Sequence, residues 1–232
     1  MKNTCITINN IVKFEEIKVI NEAIIDKKIN NRIHQGKISI SPTDPSESVN
    51  NYKKYILHYD YFQKVNAPIK IAGELTDYIQ HPYIFTGYQK ENYFITISDL
   101  SHKVVFSGIK ELNSKTKIKC EPLKIDLKKL VEKVIKTPEV EICSGWFGKL
   151  NLANLDSVSL KGDDVDKSED WERFKKIPGS TITTVEIFFT TGDFEGIKIM
   201  ISTKGFIFLK NYTLEVTSSL KLAEKIISII NN

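Results

Sequence analysis

The chain has 232 residues, of which 41% are hydrophobic, and a formal net charge of +4. This length and apolar content predict one large or two small folded domains. The small positive charge permits contact with an acidic partner but lacks the density of a tight nucleic-acid binder. The first ten residues show no signal-peptide pattern, and no run approaches the roughly 18 apolar residues of a spanning helix, so we expect no membrane association.

Cysteine usage indicates the compartment. Cys5, Cys120 and Cys143 are odd in number and include no C-x-x-C pair, which argues against a disulfide framework and against a thiolate zinc site. We therefore expect three small core residues in a cytoplasmic protein. The surplus of Lys, Ile and Asn is typical of AT-rich bacterial and phage genes.

The first half of the chain begins with a strand, "CITINNIV", and then a predicted amphipathic helix over residues 14–28. Phe14, Ile17, Ile20 and Ile24 recur there at helical spacing. The patterns that follow predict, in order, the strand "GKISI", a loop in "SPTDPSES", the strand "YKKYILHYDYF", the short strand "APIKIAG", two helical turns in "ELTDYIQHP", and a hairpin of "ENYFITISDL" with "HKVVFSGI".

The second half of the chain repeats this order of predicted elements. A strand in "KIKCEPLKI" precedes a predicted helix over residues 126–137, with Asp126 as its N-cap. Next come the strand "VEICSGWFGKLNL" and a short helix that begins at Ser168 and ends before Pro178. The segment "TTVEIFFTTGDFEGIKIMISTKGFIFLKN" predicts three strands of a meander, and residues 219–230 predict a closing helix.

Two phrases suggest an internal repeat. "HQGKISISPTD" (34–44) and "FGKLNLANLD" (147–156) both place Gly-Lys before alternating aliphatic residues, and their glycines lie 112 residues apart. Chance is the alternative explanation, because Gly-Lys strand starts are common. The repeat predicts an α+β protein of two related β-α-β-β-β units, 1–112 and 113–232, each with an antiparallel sheet and amphipathic helices on one face.

This order resembles the DNA sliding-clamp family of polymerase processivity factors. Residues 5–110 carry the resemblance through "FEEIKVINEAI", "GKISISPTD", "APIKIAGELTDYI" and "YFITISDLSHKVVFSGI". The resemblance implies a non-enzymatic scaffold, able to form a homo-oligomer, whose helices face duplex DNA and which tethers a partner protein. The chain departs from the family in ending on a helix. The TATA-binding-protein-like fold does end each repeat on a helix, and "IDLKKLV" is similar to its first helix, although Trp146 and Phe147 match its phenylalanine pairs poorly.

The most basic segment lies between Lys110 and Lys136. A clamp needs mild positive charge that attracts phosphates without fixing one register. The alternative is an ordinary solvated helix face. The DNA-binding residues expected here are Lys124, Lys128, Lys129, Lys133 and Lys136.

An acidic loop supports a second hypothesis, a small intracellular inhibitor or immunity-type protein that binds a partner protein. The expected partner-binding residues are Asp163, Asp164, Asp166, Glu169 and Asp170. Their spacing does not predict a calcium loop, because an EF-hand needs Gly at the sixth position and Glu at the twelfth, where the chain has Glu169 and Lys175.

No local motif predicts catalysis. The four histidines lie more than twenty residues apart, and there is no P-loop, G-x-S-x-G elbow or G-x-G-x-x-G. We therefore expect no cofactor and no metal. A site assembled from distant residues is invisible to such a scan, so an enzyme stays the third alternative.

One aromatic segment admits two interpretations. Its rings alternate with lysines, as in a stacking platform for single-stranded nucleic acid, but sheet packing explains the same pattern and is favoured. The residues are Tyr52, Tyr55, Tyr59, Tyr61 and Phe62, with Lys53, Lys54 and Lys64.

Overall fold

The computed structural model describes residues 3–29, 32–71 and 73–231. It confirms a mixed α+β class with mostly antiparallel sheet. The strands are β1 (Thr4–Lys13), β2 (Asn21–Ile29), β3 (Arg32–Pro42), β4 (Lys53–Ile71), β5 (Glu74–Lys90), β6 (Tyr93–Ser98), β7 (Lys119–Pro122), β8 (Val140–Leu152), β9 (Leu155–Lys161), β10 (Thr181–Phe189), β11 (Lys198–Ser202) and β12 (Phe206–Leu209). The α-helices among the described residues are α1 (His102–Lys115), α2 (Leu127–Val134), α3 (Glu169–Lys175) and α4 (Val216–Asn231).

The chain divides into two compact units. The first unit is Asn9–Glu121, and the second is Met1–Ile8 together with Pro122–Asn232. A compact unit is not necessarily a domain that folds by itself. The division into domains at residue 112 therefore stays a prediction.

The first unit is an antiparallel sheet in the order β2-β3-β4-β5-β6. Helix α1 packs on one face of it through Val104, Val105, Ile109 and Leu112, which are buried in one cluster with the inward side chains of β3 and β4. Tyr59 joins the two layers, because its hydroxyl lies 2.6 Å from Ser107 Oγ on α1.

The predicted helix over residues 14–28 is wrong. Residues 14–20 form no regular element, and β2 follows them. The apolar spacing fits a helix, but the stretch is rich in β-branched residues, which favour strands. Pairing with β3 alternates the side chains, so Ile25 is buried while Ile24 is 55% exposed.

The two helical turns predicted before Pro82 are also wrong, since β5 runs through this proline opposite Asp60 of β4. The register with β6 covers only Thr86–Lys90 of β5. Pro82 therefore lies where β5 pairs on one side only, and a proline without an N–H is tolerated there.

The hairpin predicted for residues 91–109 is half right. Strand β6 forms as expected, but "HKVVFSGI" begins α1. Its buried residues Val104, Val105, Gly108, Ile109 and Leu112 follow helical spacing. The alternation of apolar and polar residues in this segment was too short to distinguish a strand from a helix.

The tyrosine-rich segment packs inside the first unit. Tyr52, Tyr55, Tyr59 and Phe62 are all buried, which confirms sheet packing over a stacking platform. "APIKIAG" is not a separate strand, because β4 continues to Ile71.

The second unit follows its predicted elements closely. Its sheet has the order β12-β11-β10-β8-β9, and the first residues of β1 pair with β12. The helices lie on one face, where Trp171 of α3 meets the Phe147 ring edge-on at 4.9 Å and Lys225 of α4 lies 5.3 Å from the Phe189 ring centroid. None of the described helices of this unit lies on the opposite face.

The two repeat glycines have unlike surroundings. Gly36 lies on β3 and pairs with Ile25 of the preceding strand, β2. Gly148 lies on β8 and pairs with Ser157 of the following strand, β9, and with Thr181 of β10. The edge strand thus comes before the glycine strand in one unit and after it in the other, and the β-α-β-β-β arrangement is not confirmed.

Gly145 of β8 packs closely against Trp171, and this contact can be tested by substitution. A Cβ added there would lie 2.7 Å from Cη2 of Trp171, whose side chain is fully buried. We expect Gly145→Ala to lower the free energy of unfolding by about 1–3 kcal/mol through overpacking, as measured by urea denaturation. Gly162→Ala is the matched control, because nothing lies within 4 Å of its added Cβ; equal stability of the two variants would contradict the expectation.

Candidate nucleic-acid interface

Helix α2 is built as the sequence predicts. Asp126 caps it by accepting hydrogen bonds from the backbone N–H groups of Lys128 and Lys129, at 3.1 and 3.2 Å. Its apolar stripe of Leu127, Leu130, Val131 and Val134 is buried. Burial of this stripe turns the lysines toward solvent.

One predicted DNA-binding lysine has a structural role instead. The Nζ atom of Lys133 donates to the carbonyl oxygen of Ile230 at 2.7 Å. This carbonyl belongs to the last turn of α4, where carbonyls lack intrahelical donors. Lys133 therefore caps a second helix, and its charge also complements the negative end of that helix dipole.

The other predicted lysines carry charge that the second unit does not neutralise. Among the described residues, Lys124, Lys128 and Lys136 make no ion pair, and Lys129 lies only at the 4.0 Å limit from Asp126. Some other lysines of this unit, though not all, are paired at shorter distances. These pairs are Lys225 with Glu139 at 2.6 Å, Lys167 with Asp164 at 2.8 Å, Lys175 with Glu172 at 3.7 Å and Lys176 with Glu172 at 3.8 Å.

Helix α1 of the first unit bears a comparable set that was not among the predicted DNA-binding residues. Lys103, Lys110 and Lys115 are exposed, and none of them makes an ion pair within the described part of the chain. Lys103 escaped notice because residues 102–109 were predicted as a hairpin strand, whereas Lys110 and Lys115 were counted only as part of the basic segment. The sequence signal for this helix is the spacing of its apolar residues, which continues through Leu112.

The acidic loop is partly neutralised by its own neighbours. Asp164 has φ +48° and pairs with Lys167, while Asp170 lies 4.0 Å from Arg173. Glu169 and Asp170 also occupy the first turn of α3, where the helix dipole favours acids. The loop thus brings the predicted acids together, and part of their charge has a structural explanation.

Asp166 has the least favourable setting in this loop. Burial raises the pKa of its carboxyl group above the usual 3.8, and the neighbouring charge of Asp164 raises it further. A cationic partner at this position would stabilise the ionised form.

Two of the three cysteines are shown not to be activated nucleophiles. All three are buried, and burial raises the pKa of Cys120 to about 12 and that of Cys143 above its usual value. A thiol reacts as its thiolate, so neither of these two groups is reactive near neutral pH.

Within the described ranges, no group of three His, Cys, Asp or Glu side chains is placed to hold a metal ion. None of the described helices has the length and apolarity that crossing a bilayer requires.

Comparison with known proteins adds no family. No protein-family model matches the chain, and no curated protein matches it in sequence. Function is therefore argued from the surfaces themselves.

The cap made by Lys133 predicts a stability difference between neighbouring lysines. We expect Lys133→Met to lower the free energy of unfolding by about 1 kcal/mol, because the Ile230 carbonyl loses a charged donor. Lys136→Met, at an exposed lysine without an ion pair, is expected to change it by less than about 0.5 kcal/mol. Thermal and urea unfolding measure both, and similar losses would show that the contact adds nothing.

The setting of Asp166 predicts a pH dependence. Its pKa is higher in the folded than in the unfolded chain, so its contribution to stability is full below the unfolded pKa and is lost as pH rises through the folded pKa. We expect Asp166→Asn to raise the urea midpoint at pH 7, because the folded chain disfavours the ionised carboxyl group and the neutral amide carries no such cost. At pH 3 the variant and the parent chain should have equal midpoints. A gain that is the same at both pH values would contradict this origin.

Proposed function

We propose that the protein is a non-enzymatic, DNA-associated scaffold of sliding-clamp type, which encircles or straddles duplex DNA and tethers a partner protein. The observation that carries the proposal is the charge on the helices. In each unit a helix packed on the sheet presents lysines without ion pairs, on α1 in the first unit and on and beside α2 in the second.

The strength of this charge suits sliding better than tight binding. Each helix region carries only a few free ammonium groups, and such groups attract phosphates without reading sequence. Lys124, Lys128 and Lys136 are the phosphate contacts proposed for the second unit, with Lys129 beside them. On α1, the corresponding residues are Lys103 and Lys110.

The order of elements supports the straddling form. In each unit the last strand of a meander is followed by a helix, β6 by α1 and β12 by α4. This agrees with the TATA-binding-protein-like order, in which each repeat ends on a helix. The segments around Gly36 and Gly148 do not support an internal repeat, because the edge strand precedes one glycine strand in the chain and follows the other.

An inhibitor or immunity-type protein is the second candidate. The raised pKa of Asp166 favours it, since a partly buried carboxylate beside another acid gains from a cationic partner surface. The proposed contacts are the acidic-loop residues Asp163, Asp164, Asp166, Glu169 and Asp170.

Binding of a labelled 30-base-pair duplex, followed by fluorescence anisotropy over a series of salt concentrations, tests the first proposal. We expect the double variant Lys128→Gln/Lys136→Gln to weaken binding severalfold. Its plot of log affinity against log salt should be flatter by roughly 2, because each lost phosphate contact removes about 0.9 from the slope.

The double variant Lys167→Gln/Lys176→Gln is the control, matched in charge and unit, since these lysines are already paired with Asp164 and Glu172. Equal effects of the two double variants would leave only net charge as the cause. Light scattering separates the candidates further: a dimer or trimer that binds DNA supports encircling, whereas a monomer indifferent to DNA contradicts the proposal and favours the inhibitor.

A further inference from the structure

The face of the second unit's sheet that carries no helix of this unit forms a shallow groove of about 470 Å³. The pairing register builds it from one row of residues across five strands. Four gaps between strands make this row about 19 Å long. The row consists of Lys161, Ser144, Glu186, Met200 and Phe208, in the order β9-β8-β10-β11-β12.

Trp146 stands on this face without packing partners of its own size. Its side chain is 45% exposed, and its cross-strand neighbours are Ser159 and Thr184. Ser144 and Gly148 precede and follow it on the same face of β8. Small neighbours leave the indole ring accessible, so core packing does not account for a tryptophan at this position.

The charged groups around the ring favour an anion. The lining residues include the lysines 161, 198 and 210 and a single acid, Glu186, and none of these four makes an ion pair with another described residue. The Nζ atom of Lys198 lies 6.0 Å from the Phe188 ring centroid, which places it over the groove side of β10 and β11. An aromatic ring with flanking ammonium groups matches a chain that alternates bases and phosphates.

We propose that this groove binds single-stranded nucleic acid, with Trp146 stacking on a base and Lys161, Lys198 and Lys210 contacting phosphates. A single strand fits because its bases offer a free face for stacking, whereas a duplex covers those faces. Small polar neighbours around the ring impose no base preference. This site is separate from the α2 lysines proposed for duplex DNA.

The two tryptophans give the experiment an internal reference, because Trp171 is fully buried and only Trp146 can meet a ligand. We expect a 12-residue oligothymidylate to quench the emission of the full chain, and Trp146→Phe to remove the quenching. Heparin, a polyanion without bases, should produce none. Quenching that persists in Trp146→Phe, or equal quenching by heparin, would overturn the proposal.

Anisotropy of the labelled oligonucleotide measures the affinity of variants that lack the indole. We expect Trp146→Ala to weaken binding about tenfold or more, while Trp146→Phe keeps most of the affinity because its ring still stacks. Lys161→Gln/Lys198→Gln should weaken binding and flatten its salt dependence. The charge-matched control is Lys176→Gln/Lys221→Gln, at the end of α3 and on α4, which are helices of the covered face. An equal loss there would refute a groove site.

Oligouridylate measured beside oligothymidylate tells RNA from DNA, and Trp146-dependent binding of either one supports the site. The outcome is independent of the duplex proposal. Loss of duplex binding in Lys128→Gln/Lys136→Gln with intact oligothymidylate binding would separate the two surfaces. Duplex and single strand lost together in Trp146→Ala, with the fold intact by circular dichroism, would refute separate sites.

Discussion

Antiparallel pairing in the second unit is the constraint on which its other features depend. Residues that face each other across two strands share one face of the sheet, and successive residues alternate between faces. On β8 this places Gly145 and Phe147 against Trp171 of α3, in a fit that has no room for a Cβ at residue 145. The same alternation turns Trp146 outward. The exposure of the indole is thus the necessary counterpart of core packing one residue away on each side.

Local signals were strong enough to predict most of the second unit. Asp126 and Ser168 cap α2 and α3 by accepting hydrogen bonds from nearby backbone N–H groups. Such caps can be recognised in a sequence from the residue type and its position. The meander of β10, β11 and β12 shows its alternation over long stretches. In the first unit, strand pairing determined the secondary structure instead. Residues 14–28 have helical spacing, yet part of this stretch pairs with β3, and this pairing buries Ile25 in the core of the first unit. Tertiary contacts of this kind override a weak local preference.

The candidate sites divide in the same way. The lysines of α2 are close in sequence and were predictable as a group, but the role of Lys133 was not, since its partner Ile230 lies 97 residues further on. The groove of the second unit is invisible in the sequence for the same reason. Trp146, Lys161 and Lys198 lie on three strands, and only the register of β8, β9, β10 and β11 brings them to one face.

Stability alone does not explain why some lysines are paired and others are not. An exposed ion pair contributes only about 0.2–1 kcal/mol, so a free Lys128 or Lys136 costs the fold little, and pairing it would add little. The distribution of these groups is therefore open to demands other than folding. Free ammonium groups repel one another weakly in salt but act together on a polyanion, because each phosphate contact releases a counterion. The attraction of nucleic acid proposed for these lysines would therefore cost the fold little, whereas Lys133 already makes a contact that is part of the fold.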